Sequence, residues 1–260
     1  MTHDIYFIAN IGFTHRNDPK TLSGLIQESA KYSCNAVRIN YSQELESLNS
    51  ETIYKLCHYL NIDIGYTVYK PEFVEQLSPY SDFWKVSSWD NTNLDLLSEL
   101  AKTSKPIYIS TGMTEFEDLE PIIPLIREFG TSNITFLHCI SEHPNPASNA
   151  QLSCIERLRE IGHQNGALIH KSGYSDHTHV EGVIYAAVLK WRAPVIEFHL
   201  SPNRKQDEYK QGHAWLPQEI GTVIANLILS YDGSGFRTMS PKELENKSRK
   251  HESWSSNKCI

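Results

Sequence analysis

Short runs rich in β-branched and aromatic residues alternate along this chain with longer segments whose apolar positions recur at helical spacing. The short runs are Ile5–Asn10, Ala36–Tyr41, Ile62–Val68, Phe83–Ser87, Pro106–Ser110, Ile134–Cys139, Ala167–Lys171 and Pro194–Leu200, which makes eight expected strands. Between and after them lie eight expected helices: Pro19–Ser33, Ser50–Leu60, Pro71–Leu77, Asn93–Lys102, Glu115–Gly130, Asn149–Gln164, His179–Trp191 and Leu216–Ser230. Thr114-x-x-Glu117 reads as a capping box ahead of Leu119, Ile122 and Ile123, with Gly130 as the stop signal. Eight β/α units in about 230 residues come close to the lower size of a (β/α)8 TIM barrel, and no Gly-x-Gly-x-x-Gly follows any strand. The alternative is an open α/β sheet with one or two strands overcounted.

The expected organisation is one barrel over residues 1–230 and a polar C-terminal extension or tail over 231–260, where Lys, Glu, Ser and Asn dominate and no core face recurs, with a charged helix around Pro241–Arg249 as the alternative. Composition narrows the function. With 24 Lys and Arg against 31 Asp and Glu, a net charge of -7, the chain lacks the basic surplus that a nucleic-acid binder needs. It also has no apolar run near the roughly 20 residues of a membrane span, and its start lacks a basic leader, so a cytoplasmic protein is expected. Five cysteines, at 34, 57, 139, 154 and 259, form no CxxC and read as reduced thiols.

In a parallel barrel the C-terminal strand ends meet at one mouth, so residues far apart in sequence can share a site. Those ends carry Asn10, Arg38, Asn40, Thr67, Lys85, Ser87, Ser88, Asp90, Ser110, Thr111, His138, Ser141, Ser175, Asp176, His177, Glu197 and His199. His177 and His199 follow neighbouring strands, where two imidazoles can share a divalent metal; the plainer alternative is a hydrogen bond within the barrel wall. Arg38 and Lys85 bring positive charge to the mouth of an acidic protein. With hydroxyls from Thr67, Ser88, Ser110, Thr111 and Ser141 they suit a phosphate or carboxylate, unless each hydroxyl merely caps a helix. Cys139 is either a nucleophile or buried filler.

Several of these residues stand in motifs: Lys85-Val-Ser-Ser88, Ile109-Ser-Thr-Gly-Met113, Leu137-His-Cys139 followed by Pro144-Asn-Pro146, Ser175-Asp-His-Thr178 and Val195-Ile-Glu-Phe-His199. In this order and combination they resemble the sialic acid synthase family. The resemblance implies a (β/α)8 barrel that condenses phosphoenolpyruvate with N-acetylmannosamine or a related 2-acetamido hexose, giving a nine-carbon 2-keto sugar acid and phosphate. It implies that His177 and His199 hold Mn2+ or Mg2+, and that Lys85, Ser88, Ser110, Thr67 and Ser175 line the phosphoenolpyruvate pocket. Arg38 stands where the family has Lys, and Asp90 where it has Glu. Lys85, Asp90 and Asp176 are then expected to assist proton movement and binding around the metal.

The chain also departs from the family. Asn10 replaces the carboxylate of Ile-Ala-Glu-Ile-Gly, and an amide cannot act as a base. The family's Asn-His-Asn-Gly is eroded to Thr14-His-Arg-Asn17, and Tyr41–Ser50 is shorter than the usual insertion. Its Pro-Gly-Pro-Asp loop is replaced by Asp207–His213, within which Asp207, Glu208 or His213 could stand in for the missing Asp. The sequence ends where a linker to the family's C-terminal antifreeze-like domain is expected. That domain caps the partner subunit's site and supplies an Arg, so a dimer here would use barrel surfaces or a separate partner would complete the site. Two alternatives remain: a related phosphoenolpyruvate-using synthase with another aldehyde acceptor, and a non-catalytic barrel that binds sugar or phosphate.

Overall fold

The computed structural model describes residues 5–41, 49–124, 134–164, 171–232 and 241–243. Eight parallel strands follow one another around a closed sheet: β1 (Tyr6–Gly12), β2 (Ala36–Asn40), β3 (Asp63–Thr67), β4 (Phe83–Val86), β5 (Ile107–Ser110), β6 (Ile134–His138), β7 (Lys171–Asp176) and β8 (Val195–Leu200). Pairing of β1 with β8, from Tyr6 opposite Val195 to Asn10 opposite His199, closes the ring, so the expected (β/α)8 TIM barrel holds and the open sheet does not. A two-residue strand, β9 (Ala214–Trp215), is added beside β8 after the short helix Asp207–Gln211, and neither had been expected from the pattern.

The helices form where the sequence supplies caps and an apolar stripe. Asp18 accepts hydrogen bonds from the backbone of Lys20 and Thr21 to start Pro19–Lys31, which buries Leu22, Leu25 and Ile26. Asn49 and Asn93 cap Ser50–Tyr59 and Leu94–Lys102 in the same way. Glu181–Tyr185 continues as a π-helical turn over Ala186–Lys190. The capping box lies one residue later than expected. Glu115 and Asp118 form it around the 3-10 turn Phe116–Leu119, while the Thr114 hydroxyl donates to the Gly112 carbonyl. The expected stop at Gly130 lies outside the described residues.

Strand seven also differs from its expected range of Ala167–Lys171. It runs from Lys171 to Asp176 and so takes in Ser175 and Asp176, which had been placed beyond its end; residues 167–170 lie outside the described residues. Of the expected extension, only 231–232 and 241–243 are described, and all of these are helical. No helix among the described residues is long and apolar enough to cross a membrane. Met1–Leu227 is one compact unit and Ile228–Ile260 another.

The twofold period of the strands builds the barrel interior in layers. Toward the N-terminal ends, Tyr6 stacks on Tyr108 and donates its hydroxyl to Asp63. Ile8, Ala36, Phe83, Leu137 and Val195 pack together in the next layer. There the Phe83 ring occupies the space that a side chain on Gly65 would need, since an added Cβ would lie 2.2 Å from it. Two residues further along the strands the interior turns polar, with Asn10, Arg38, Thr67, Lys85, Ser110, Ser175 and Glu197, all buried. The apolar layers thus form a floor under a charged mouth.

Candidate active site

Glu197 organises the charged layer. Its carboxylate is 3.2 Å from Arg38 Nε and 3.5 Å from Lys85 Nζ, and it accepts a 2.8 Å hydrogen bond from the Ser175 hydroxyl. Lys85 also donates to Ser110 Oγ at 2.7 Å and to the Val86 carbonyl at 2.9 Å. Burial alone would raise the Glu197 pKa, but Lys85 and Arg38 hold it down to about 2, so the carboxylate stays charged. Burial lowers the Lys85 pKa despite its acidic neighbour. Two cations against one carboxylate leave the mouth with a surplus positive charge for an anion.

These groups border a cavity of about 260 Å3 whose opposite wall is made of histidines. The rings of His177 and His199 lie 5.2 Å apart, and His143 sits 4.0 Å from His177 and 5.7 Å from His199. Their ligating nitrogens fall within 4.8 Å of one another, and His199, Glu208 and His213 form a second group of this kind. His177 Nδ1 faces the Ile140 carbonyl at 2.7 Å, and His199 Nδ1 faces the Glu208 carboxylate at 2.8 Å. Each Nδ1 therefore carries the proton, leaving Nε2 as the lone-pair donor, the arrangement in which a carboxylate or carbonyl orients a metal-binding imidazole. Burial, with neighbouring imidazoles, lowers the pKa of His177 and brings that of His143 down to about 4, so both are neutral at neutral pH. Asn10 completes this wall: its Nδ2 is 3.1 Å from His199 Nε2, while its buried Oδ1 has no protein partner. Imidazoles held by their second nitrogens, beside an unpartnered amide oxygen, suit a divalent cation.

Nine of the twelve site residues expected from the sequence line this cavity: Asn10, Arg38, Lys85, Ser88, Ser110, Ser141, Ser175, His177 and His199. The other three do not. Asp176 is fully buried, and its oxygens accept hydrogen bonds from the Tyr174 and Thr178 hydroxyls, two backbone amides and the Trp215 indole, so it braces the strand end and is not free to move a proton. Asp90 turns away to accept from Ser87 Oγ at 2.6 Å, as a short side chain in the turn after β4 readily does. Thr67 is buried with its hydroxyl unpartnered and does not line the cavity, although it pairs with Lys85 across β3 and β4.

Glu197 and His143 had been given no role. The first was legible as the inward neighbour of His199 two residues along one strand, whereas His143 lies in a loop that no period governs. Of the three candidates to replace the missing Asp, Glu208 reaches His199, and His213 lies 3.7 Å from Glu208. Asp207 instead pairs with Arg16 in the open. Cys139 is buried against Ser88, its sulfur 3.3 Å from the hydroxyl, and does not line the cavity. A larger groove of about 580 Å3 adjoins it through Ser88, Met113 and Trp89, whose indole is exposed.

A family model described as NeuB family matches residues 16–233. The chain belongs to the NeuB family. This NeuB-family chain is 27% identical to the N-acetylneuraminate-9-phosphate synthase of Drosophila melanogaster, across 88% of its own length and 70% of that protein. It is 30% identical to the N,N'-diacetyllegionaminic acid synthase of Campylobacter jejuni, across 63% of its length and 48% of the relative's. Its fold matches the N-acetylneuraminic acid synthetase of Leptospira borgpetersenii, solved in complex with citrate, with a TM-score of 0.77 at 20% identity over 95% of this chain and 91% of that one. The kinship read from the motifs is thus confirmed, and at this identity the structural match speaks for the fold.

Proposed function

We propose that this protein condenses phosphoenolpyruvate with the open-chain aldehyde of an N-acetylmannosamine-like 2-acetamido sugar, giving a nonulosonate and phosphate. The observation that carries this reading is the single cavity that Arg38, Lys85 and several serines line together with His143, His177 and His199. Phosphoenolpyruvate needs cations and several donors for its phosphate and carboxylate. Arg38 and Lys85 supply the charge, Ser88, Ser110, Ser141 and Ser175 the hydroxyls, and Glu197 holds both cations in place.

C3 of phosphoenolpyruvate forms the new bond to the aldehyde carbon, and the aldehyde oxygen becomes a hydroxyl. Water adds at C2, the resulting tetrahedral intermediate loses phosphate by cleavage of its C2–O bond, and a ketone remains. Mn2+ or Mg2+ held by His177 and His199 would supply Lewis acidity toward the aldehyde oxygen when bound. Lys85, whose ammonium is made more acidic by burial, is the residue we assign to protonate the departing phosphate. Asn10 holds no transferable proton pair; its amide donates to His199 and orients that ring. The groove beside Trp89 offers room for the acceptor's acetamido end. A second reading keeps phosphoenolpyruvate and changes the aldehyde. The amide at Asn10 and the Glu208–His213 segment against His199 favour it.

The test is inorganic phosphate release from phosphoenolpyruvate by metal-depleted protein resupplied with Mn2+, against N-acetylmannosamine and a panel of other 2-acetamido hexoses and simple aldehydes. Release that requires an acetamido sugar and is abolished by Lys85→Met supports the proposal. Release with another aldehyde alone selects the second reading, and no release with any acceptor rejects both.

A further inference from the structure

We propose that His143 is a third protein ligand to the cation at His177 and His199, so that the site presents three imidazoles and takes a first-row transition-metal dication such as Mn2+, Co2+ or Zn2+ in preference to Mg2+. This rests on the reading above only in that a cation occupies this wall of the cavity. The three rings come from separate parts of the barrel: His143 from the loop after β6, His177 just beyond β7, and His199 from β8. Their nitrogens nevertheless converge within 4.8 Å. An ion with Zn–N bonds of about 2.1 Å holds tetrahedral ligands ~3.4 Å apart, so a closing movement of at most about 1.4 Å completes the set.

His143 can make that movement. It is exposed, and neither of its nitrogens has a hydrogen-bond partner among the described residues. His177 and His199, by contrast, are fixed through Nδ1 by Ile140 and Glu208; on His199 the Nε2 lone pair meets Asn10 Nδ2, a contact that a bound cation replaces. Two buried polar atoms near the cluster also lack partners, Asn10 Oδ1 and His213 Nδ1. His213 lies beyond Glu208, with its ring 4.9 Å from His143 and 5.0 Å from His199, and so surrounds the triad with further imidazole.

Ligand chemistry decides the metal class. Imidazole nitrogen suits the later first-row metals best, Zn2+ and Co2+ among them, and Mn2+, though at home with oxygen, gives up water for nitrogen more readily than Mg2+, which demands oxygen ligands and keeps its waters. Glu208 does not supply oxygen to the triad, because its carboxylate is engaged with His199 Nδ1 on the far side of that ring. A three-nitrogen face leaves the remaining coordination positions for water and substrate oxygen, as a working Lewis acid needs.

The test uses the full chain, depleted of metal and titrated with Mn2+, Co2+ and Mg2+ in competition with a chromophoric chelator, together with pulsed EPR of the Mn2+ form to count coupled imidazole nitrogens. Three nitrogens are expected in the parent protein and two in His143→Ala, with Mn2+ affinity falling by about tenfold or more in the variant. Mn2+ is expected to bind more tightly than Mg2+ by at least about tenfold. Because His143 is exposed, the variant should fold, and circular dichroism checks this. Two nitrogens in the parent protein, an unchanged nitrogen count in the variant, or equal affinity for Mn2+ and Mg2+ overturns the proposal. None of these readouts needs turnover. A three-nitrogen site in a protein inert toward phosphoenolpyruvate supports this inference while rejecting the synthase reading, and a two-nitrogen site in an active synthase does the reverse.

Discussion

Glu197 is the residue on which the mouth of the barrel depends, since it is the acid paired with both buried cations. Glu197→Gln leaves Arg38 and Lys85 buried without their counter-charge, and breaking a buried pair in this way costs about 3–5 kcal/mol. Chemical denaturation should show that loss at neutral pH; a change below about 1 kcal/mol would mean that water already compensates the pair. The same carboxylate sets an acid limit. Its folded pKa of about 2 lies below the ordinary 4.5, so the stability it contributes is present above about pH 4.5 and disappears as pH falls toward 2. Gly112 makes a finer test. An added Cβ would sit 2.2 Å from Ser141 Oγ, 2.9 Å from Ser88 Oγ and 3.0 Å from Cys139 Sγ, so the two cavity hydroxyls must turn aside while the sulfur gives by a few tenths of an ångström. Gly112→Ala should therefore leave the melting temperature nearly unchanged and weaken phosphoenolpyruvate binding about tenfold, the cost of roughly one hydrogen bond. Unaltered binding by isothermal titration would remove those serines from the anion cradle. At this scale the sequence showed residue types but not directions. Asp176 and Glu197 are both acids near the barrel mouth, yet one is saturated by structural donors and the other faces the cations.

At the scale of elements, most strands and helices were legible because apolar period and Asp or Asn caps coincide, as they do for Pro19–Lys31 and Leu94–Lys102. Strand β7 was misplaced for a physical reason. A strand covered on both faces usually reads as an apolar run, but Lys171-Ser-Gly-Tyr-Ser-Asp176 is mostly small and polar. It is held as a strand by ladders to β6 and β8, while Ser172 and Ser175 satisfy their hydroxyls on the Ile155 carbonyl and Glu197. The helix Asp207–Gln211 and strand β9 were missed because five and two residues are too short for any period to register. The pairing of β9 to β8, with Ala214 opposite His199, nevertheless brings Glu208 and His213 to the imidazole wall. The element thus acts through the orientation of His199. Glu208→Gln keeps a hydrogen-bonding side chain but removes the charge that fixes the ring, and Mn2+ affinity should fall about 10–100-fold. Chelator competition reads this directly. Unchanged affinity would reduce the segment to a cover over the strand end.

For the barrel as a whole, alkaline pH acts on several buried groups at once. Burial pushes the thiols of Cys34 and Cys57 from about 9 up to about 12 and the Tyr108 hydroxyl up to about 12, and it also raises Tyr6, Tyr66 and Tyr174. Tyr6 and Tyr174 are held further toward the protonated form by Asp63 and Asp176. These groups are acids whose folded pKa lies above the unfolded one, so the unfolded chain releases their protons first. Their contribution is intact below about pH 8 and is lost as pH rises through the unfolded values near 9 and 10, at up to about 1.4 kcal/mol per pH unit for each group fully titrating. The barrel concentrates the effect because its inner layers and helix seams place phenols and thiols where no water solvates an anion. Urea unfolding followed by tryptophan fluorescence should show a stability plateau near neutral pH and a steep fall between about pH 9 and 10.5. Cys57→Ala, which removes one titrating group, should have a shallower fall over that interval even though the cavity it creates lowers the plateau. A flat profile to pH 10.5 would show that the unfolded ensemble keeps these side chains as dry as the barrel does.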